Sequence, residues 1–305
     1  MCAFLNGIVE SILETLHEML VSAIMSSFDS IFDSFNDRVD HAVDIAGMHP
    51  EDWVGGTPWQ MVQTVAYSAG VGVMLIAGLI LGFFLALDLI QALVEKNNFA
   101  DIDVIGQLIK WIVKSFIAIT ILANVATIIG AIFAIGQGVI QDAGGAIMAN
   151  AALEGDTIFA GLQPVLEDAE IYELVLFLLQ IQILRLGAPI LGIVIFVVTL
   201  GRMFEIMMYL LIAPIPLATM ANQEYRTIGN NYLKGIFAVA FQGLLILAVI
   251  AILGSIFQDW AAGVSQATSL FAASHGIWSL GGYTIIAAVA IGKTSAISKS
   301  IFNAT

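Results

Sequence analysis

The sequence predicts an all-α fold: a polytopic transmembrane helical bundle of about five spans, with an amphipathic helical hairpin at its N-terminal end. Three observations predict it. Of 305 residues 59% are hydrophobic and only 11% charged, and the mean hydropathy is +0.96; a soluble domain carries about twice that charge. Several apolar runs reach the ~20 residues that cross a bilayer as a helix. Lys and Arg gather in alternate connections, the asymmetry that sets membrane orientation.

Charge and cysteine content exclude other classes. A net charge of −14 argues against a basic surface that binds nucleic acid. The single cysteine, Cys2, rules out an intrachain disulfide framework. The first residues hold neither a basic region nor a continuous apolar core, so no signal peptide is expected. Residues 1–60 read as an extracytoplasmic amphipathic region and 61–305 as the transmembrane domain.

In residues 3–46, Leu5, Ile8, Ile12, Leu16, Met19 and Ala23 form one apolar stripe opposite Glu10, Glu14 and Glu18. A second stripe, Ile24, Phe28, Ile31, Phe35 and Val39, opposes Asp29, Asp33, Asp37 and Asp40. The stripes are rotated by about a third of a turn, which predicts a break near Ser26–Ser27 and hence a hairpin. Its acidic faces differ from the basic faces of helices that ride on anionic lipid. The hairpin either packs on its own bundle or forms a collar that meets a partner or neighbouring subunit.

His49 to Pro58 reads as a loop bracketed by Trp53 and Trp59, aromatics suited to a membrane boundary. The first span is expected over 65–93, with Ala66, Gly70, Gly78, Gly82 and Ala86 at spacings that let another helix approach. Asp88 near its end reads as an ion site or an interfacial carboxylate. The second span is expected over 111–135, where Gly130, Ala134 and Gly138 repeat the small-residue pattern. Residues 138–173 carry acids but no Lys or Arg and read as a long, functional or partly helical loop. The apolar stretch 174–220 follows, then a polar turn at 222–235, a span over 236–257, an outer loop over 258–275 and a short last span over 277–291.

Lys96, Lys110 and Lys114 mark one cytoplasmic connection, Arg226 and Lys234 another, and Lys293 and Lys299 the tail. The intervening connections carry only Arg38, so the N-terminus is placed outside and the C-terminus in the cytoplasm. That orientation demands an odd number of crossings. As one helix 174–220 would reach about 70 Å, too long for one ~30 Å core and too short for three. One crossing plus a broken, re-entrant or projecting piece fits best.

The stretch Gly201–Gly243 holds the densest chemistry. Arg202 and Glu205 lie three residues apart on one helical face, where they can neutralise each other; charges at membrane depth cost a few kcal/mol and tend to be interior-facing and functional. Pro214 and Pro216 must end or kink the helix, and the backbone they free survives only under protein or water. With Arg185, embedded earlier in the same run, these residues are candidates for the lining of a substrate path. Gly78, Gly82, Gly130 and Ala134 are candidates for helix packing, within one subunit or between subunits.

Signals for catalysis are missing. His17, His41, His49 and His275 are scattered without a zinc-binding pattern, so neither metal nor cofactor is expected. Gly292-Lys293-Thr294 ends like a phosphate loop, but Ala287 stands where the first glycine belongs. No serine or cysteine has a nucleophile context.

The run from Arg202 through APIPLATM to IGNNYLKGIFAVAFQG resembles the TrbL-like proteins, polytopic inner-membrane components of conjugative type IV secretion systems, in their Gram-positive branch. The C-terminal GKTSAISKSIFNAT is similar to the tail of that branch. The resemblance is sharp over 201–243 and the last dozen residues and general elsewhere. It implies a multi-pass protein of the bacterial cytoplasmic membrane and makes 61–305 a channel domain. It also implies a ring-like homo-oligomer, with a pentamer as one option, in contact with lipid and beside secretion ATPases and a coupling protein. The cargo would be single-stranded DNA with its relaxase, or protein. The alternative is a secondary transporter or small-solute channel with its site at a broken helix.

Overall fold

The computed structural model describes residues 2–68, 72–94, 104–151, 155–264, 266–267 and 269–304, and among them every regular element is a helix. In order these are α1 (Cys2–Gly47), a 3-10 turn (Trp53–Gly56), α2 (Thr57–Tyr67), α3 (Val73–Val94), α4 (Val104–Ala123), α5 (Val125–Ala151), α6 (Gly155–Glu167), α7 (Ile171–Ile212), α8 (Pro214–Thr219), α9 (Arg226–Val264) and α10 (Leu270–Ile301). Six of them, α3, α4, α5, α7, α9 and α10, are long and apolar enough to cross a membrane. The protein is an all-helical, multi-pass membrane protein.

Two expectations need correction. The N-terminal hairpin is instead one uninterrupted helix, α1. The Ser26 and Ser27 hydroxyls donate back to the Ala23 carbonyl at 3.1 and 2.7 Å, so both are satisfied without breaking the ladder. The rotation between the stripes marks a change of surroundings instead. Ile24, Phe28, Ile31, Phe35 and Val39 are buried, whereas Ile8, Ile12, Leu16 and Met19 stay exposed.

The expected second span, 111–135, is divided at Asn124, which makes the span-length helices six rather than five. Asn124 turns its side-chain amide onto the Thr120 carbonyl at 2.8 Å, competing with the backbone ladder. Helical bonds continue on both sides, from Asn124 N–H to Thr120 and from Ile128 N–H to Asn124. The interruption is therefore a single-residue irregularity.

Other boundaries moved as well. The first span begins at Val73, with Val65 left in α2, and Gly70 of its small-residue row lies outside the described residues. The approach to α3 turns on Gly72 at φ 79, where a Cβ would collide with the Val65 carbonyl. The acidic region 138–173 is mostly helix, in α5 and α6, and the 258–275 loop shrinks because α9 runs to Val264 and α10 starts at Leu270. Polarity ended the apolar runs there, but Ala-, Gln- and Leu-rich chain keeps its helix propensity. In the segment 174–220, α7 runs through Pro189 to Ile212, and α8 follows at the double proline.

The chain divides into two compact contact units. The first comprises residues 1–46, 141–199 and 244–293. Its core is aromatic, with Phe28 against Phe177 and Trp260 at 6.1 and 5.7 Å and Phe35 stacked on Phe257 at 5.2 Å. Polar anchors hold α1 there: Gln182 donates to the Ser27 hydroxyl at 2.9 Å, and the His17 ring bonds to the Ala169 carbonyl.

The second unit comprises residues 47–140, 200–243 and 294–305. Ala77, Leu81 and Leu85 of α3, Ile129 and Phe133 of α5, Met203, Ile206 and Leu210 of α7, and Ile236, Val239 and Ala240 of α9 form its core. Trp53 is buried with them, its ring edge-on to Phe204 at 5.0 Å. In lipid such a core is held by close packing and internal hydrogen bonds, since the tails are as apolar as the side chains.

Candidate functional site

The centre of the second unit is a polar stitch between helices. Arg202 on α7 is 2% exposed. Its Nε donates to the Val239 carbonyl at 3.0 Å and an Nη to the Ala240 carbonyl at 3.1 Å, both on α9. Those carbonyls already serve the helix ladder, but each oxygen has a second lone pair that a guanidinium fork can reach. Small residues make the room. A Cβ at Gly243 would come within 2.9 Å of the Arg202 guanidinium, and one at Gly136 of α5 within 3.0 Å of the Ala240 carbonyl oxygen. Sequence reasoning passed over Gly136, which stands outside the four-residue spacing of Gly130 and Ala134.

Glu205, expected to pair with Arg202, instead meets Lys299 of α10 at 2.7 Å in a half-exposed ion pair. The rest of that tail is drawn onto α9. Ser298 donates to the Ala238 carbonyl at 2.5 Å, Gln242 to the Thr294 hydroxyl at 3.4 Å, and Phe302 packs on Phe237 and Phe241. Thr294, Ser298 and Gln242 are all buried. The two segments that carry the family resemblance, 201–243 and the C-terminal residues, thus meet in one unit. A Thr/Ser/Lys row at 294, 298 and 299 on an apolar helix was the readable signal, because such hydroxyls need partners at depth.

The proline break is closed from inside. Pro214 cannot donate, which frees the Leu210 carbonyl one turn earlier. Tyr67 at the end of α2 donates its hydroxyl to that oxygen at 2.7 Å, and Tyr232 of α9 donates to the adjacent Tyr209 carbonyl. Pro216 offers its own carbonyl to the Thr219 hydroxyl at 2.7 Å, and α8 packs on α3 and α4. The broken helix is therefore a bonded joint at these atoms, without an open ligand site at the Tyr209 and Leu210 carbonyls. Tyr67 and Tyr232 were not singled out beforehand; a buried phenol in an apolar helix needs an acceptor.

The remaining expected residues are spread out. Arg185 belongs to the first unit and Arg202 to the second; Arg185 is exposed with no polar partner among the described residues. Gly78 and Gly82 are exposed on α3, about a quarter of a turn from its buried Ala77, Leu81 and Leu85. A Cβ at Gly78, Gly82 or Gly130 would meet nothing within 4 Å, and Ala134 is exposed. Among the described residues none of these four packs another helix in the way Gly136 does. Asp88 pairs with Lys114 at 2.7 Å, tying α3 to α4. Among the described residues no cluster of His, Cys, Asp or Glu could hold a metal ion.

Residues 35–214 match the model of the family described as TrbL/VirB6 plasmid conjugal transfer like protein. The match covers more than half of the chain and stops at Pro214, so most of the 201–243 stretch and the tail lie beyond it. No curated protein and no solved structure matches.

Proposed function

Because the chain belongs to the TrbL/VirB6 conjugal transfer-like family, we propose that it is a membrane channel or scaffold component of a conjugative type IV secretion system. In this reading it helps pass single-stranded DNA with its relaxase, or protein substrates, across the cytoplasmic membrane. The observation that carries the reading is the family match over 35–214 on a chain with six span-length apolar helices. The energy comes from partner ATPases and the coupling protein. The placement of Lys and Arg supports an outside N-terminus and a cytoplasmic tail, an orientation that needs an odd number of crossings and so counts α4 and α5, joined by helical bonds through Asn124, as one.

Several copies form the working assembly. The open faces around Gly78 and Gly82 of α3 and around Gly130 and Ala134 of α5 support contact between subunits, because small residues without an internal neighbour allow a second helix to approach. Arg202, Pro214 and Pro216 then act as the frame, while Glu205, half-exposed, and Arg185, exposed, are the groups a substrate could meet.

An in-frame deletion with plasmid-borne complementation tests the role. Mating frequency should fall below detection and recover on complementation; undiminished mating without the protein would refute it. Crosslinking in mating cells, followed by precipitation of the protein and amplification of the transferred strand, separates conduit from scaffold. Recovered strand supports a conduit, and loss of mating without recovered strand supports a scaffold.

A further inference from the structure

The first turns of α1 carry an apolar stripe that the chain itself leaves uncovered. Phe4, Ile8, Ile12, Leu16 and Met19 are exposed, Phe4, Ile12 and Met19 at 73, 60 and 64%, and Val9 and Leu13 widen the stripe on one side. Downstream the same helix is buried on a different face, where Phe28 packs on Phe177 and Trp260. The two stripes lie about a third of a turn apart, and α1 runs through both without a break. An unbroken helix cannot turn both faces onto one core, so the upstream stripe is directed away from the packing that buries Phe28.

Chemistry and size narrow what covers it. Glu10, Glu14 and Glu18 are exposed on the opposite side, and an acidic back disfavours both anionic lipid and the phosphates of nucleic acid. The stripe itself holds no charge, so two copies of it meet without repulsion while the glutamates stay outside. Ile12 and Met19 are seven residues apart, as are Val9 and Leu16, the spacing at which helices lying side by side repeat their seam. Thr15, beside the stripe, already donates its hydroxyl to the Ser11 carbonyl at 2.8 Å and brings no unmet bond to the seam. Gly7 and Ser11 leave a shallow hollow beside Phe4, Ile8 and Ile12 in which a neighbour's side chain can seat. Seven exposed apolar side chains at roughly 100 Å² each offer about 700 Å², close to the ~800 Å² per partner of a specific interface.

We propose that this stripe is an interface between copies of this chain: the N-terminal arms of α1, residues 4–20, pack side by side and parallel, with apolar stripes together and glutamates outward. The inference deepens, and rests on, the reading that several copies form the working assembly. Copies related by a closed rotation in one membrane share an orientation, so each arm stands level with its neighbour's. Held in one assembly, the arms meet at an effective concentration of about millimolar, where a contact too weak for free helices still forms.

In a Cys2→Ser background, Ile12→Cys, Leu16→Cys or Glu14→Cys is introduced into the full-length protein. Each variant is oxidised with copper phenanthroline, in cells and after purification into phosphatidylcholine liposomes. Ile12→Cys or Leu16→Cys should give disulfide-linked dimers at least fivefold above Glu14→Cys in both settings. Phe4→Asp with Met19→Asp changes only exposed positions, and it should lower that dimer yield at least fivefold at unchanged membrane abundance, which separates the contact from misfolding. Absence of dimers at both stripe positions, or equal crosslinking at Glu14→Cys, overturns the interface. An environment-sensitive maleimide dye at Ile12→Cys that reports apolar surroundings without dimers assigns the stripe to lipid and overturns it. A crosslink in cells to a chain of different mass, with no dimer from the purified protein, assigns it to another protein and overturns it too. Mating is scored in parallel in the deletion strain. No dimers in a chain that mating still requires sinks the interface and leaves the transfer reading in place, whereas dimers in a chain dispensable for mating do the reverse.

Discussion

Arg202→Met should leave the protein folded and mating-competent, although it removes the most deeply buried charge in the Gly201–Gly243 stretch. The guanidinium makes at least two hydrogen bonds to α9 carbonyls, at 3.0 and 3.1 Å. Hydrogen bonds between helices in bilayers average about 0.6 kcal/mol, so the two contribute roughly 1 kcal/mol. Against them stands the desolvation of a buried charge, an effective penalty of several kcal/mol. Methionine refills most of the volume, and a volume-conserving swap costs below about 1.5 kcal/mol. The net change should be within about 1–2 kcal/mol of zero and of either sign, a Tm shift of a few degrees. Arg202→Lys should be worse, at about 3–5 kcal/mol, because a compact ammonium cannot span both carbonyls yet remains buried. Arg202→Ala should lie near it through the void it leaves, about 2–5 kcal/mol. Membrane abundance, Tm in detergent and mating frequency would be measured for all three. A methionine variant with native abundance and Tm but mating reduced more than tenfold would refute the structural role and return Arg202 to the substrate path.

Four further outcomes follow from the same contacts. Tyr67→Phe should cost about 0.5–1.5 kcal/mol through the unpaired Leu210 carbonyl, and the cost should vanish in a Pro214→Ala background, where the restored N–H can take that carbonyl; equal costs in both backgrounds would show that the bond is not made. Gly136→Leu should abolish folded protein because its side chain must displace the Ala240 backbone, whereas Gly82→Leu should keep abundance and reduce oligomer size; an unchanged oligomer would show that this face meets only lipid. Glu205→Lys and Lys299→Glu should each lose up to about 1 kcal/mol, given their partial exposure, and the double swap should recover both stability and mating; lost mating at native stability in the swap would indicate that Glu205 meets substrate. Cys2 should react with an impermeant thiol reagent on intact cells and Ser300→Cys only after permeabilisation, and the opposite pattern would invert the proposed orientation.

The class of the fold was legible because it follows from transfer energetics. Runs such as 236–257 and 174–212 are too apolar for anything but lipid or a core, and a double proline has few places to go. Helix ends were less legible. The expected loops at 138–173 and 258–275 were drawn where polarity rose, yet backbone bonding does not depend on whether the side chains outside are wet, so α5, α9 and α10 continue. The α1 bend failed for a related reason: a rotated stripe reports which face is covered, and the cover changes near Ser26 while the helix does not. Asn124 was the converse, one polar residue inside an apolar run whose side chain competes for the Thr120 carbonyl.

The candidate site was legible as a place and misread in its pairing. Arg202 and Glu205 share a helix face, but proximity along one helix supplies only about 0.2–0.5 kcal/mol. Buried carbonyls on α9 and an ammonium on α10 offered each group a better partner across helices, and those partners sit 37–38 and 94 positions further on, beyond any local pattern. Tyr67 reaches Leu210 over a still longer separation, 143 positions. Such contacts are set by tertiary approach at Gly136 and Gly243, which a single sequence marks only as two glycines among 28.

This distribution of polar groups bears on how a substrate could pass. A conduit needs polar or weakly binding groups facing water so that cargo leaves again. In the second unit Arg202, Gln242, Thr294 and Ser298 are buried, and the carbonyls beside the proline break are bonded to Tyr67 and Tyr232. Those groups hold helices together, and recruiting them to a lumen would unmake the packing they secure. One exposed polar row is Asp29, Asp33, Asp37, Asp40 and Asp44 on α1. If the protein conducts, the lumen must form between copies, with open faces such as Gly78–Gly82 meeting and surfaces such as the α1 acids facing water. An acidic lining would repel the phosphates of single-stranded DNA at close range and hold it only briefly, which suits a passage better than a binding site. Replacing Asp33, Asp37 and Asp40 together by Asn should then slow or stall DNA transfer by making the wall less repulsive, while membrane abundance stays unchanged. Native mating frequency from a triple variant at native abundance would place the DNA away from α1.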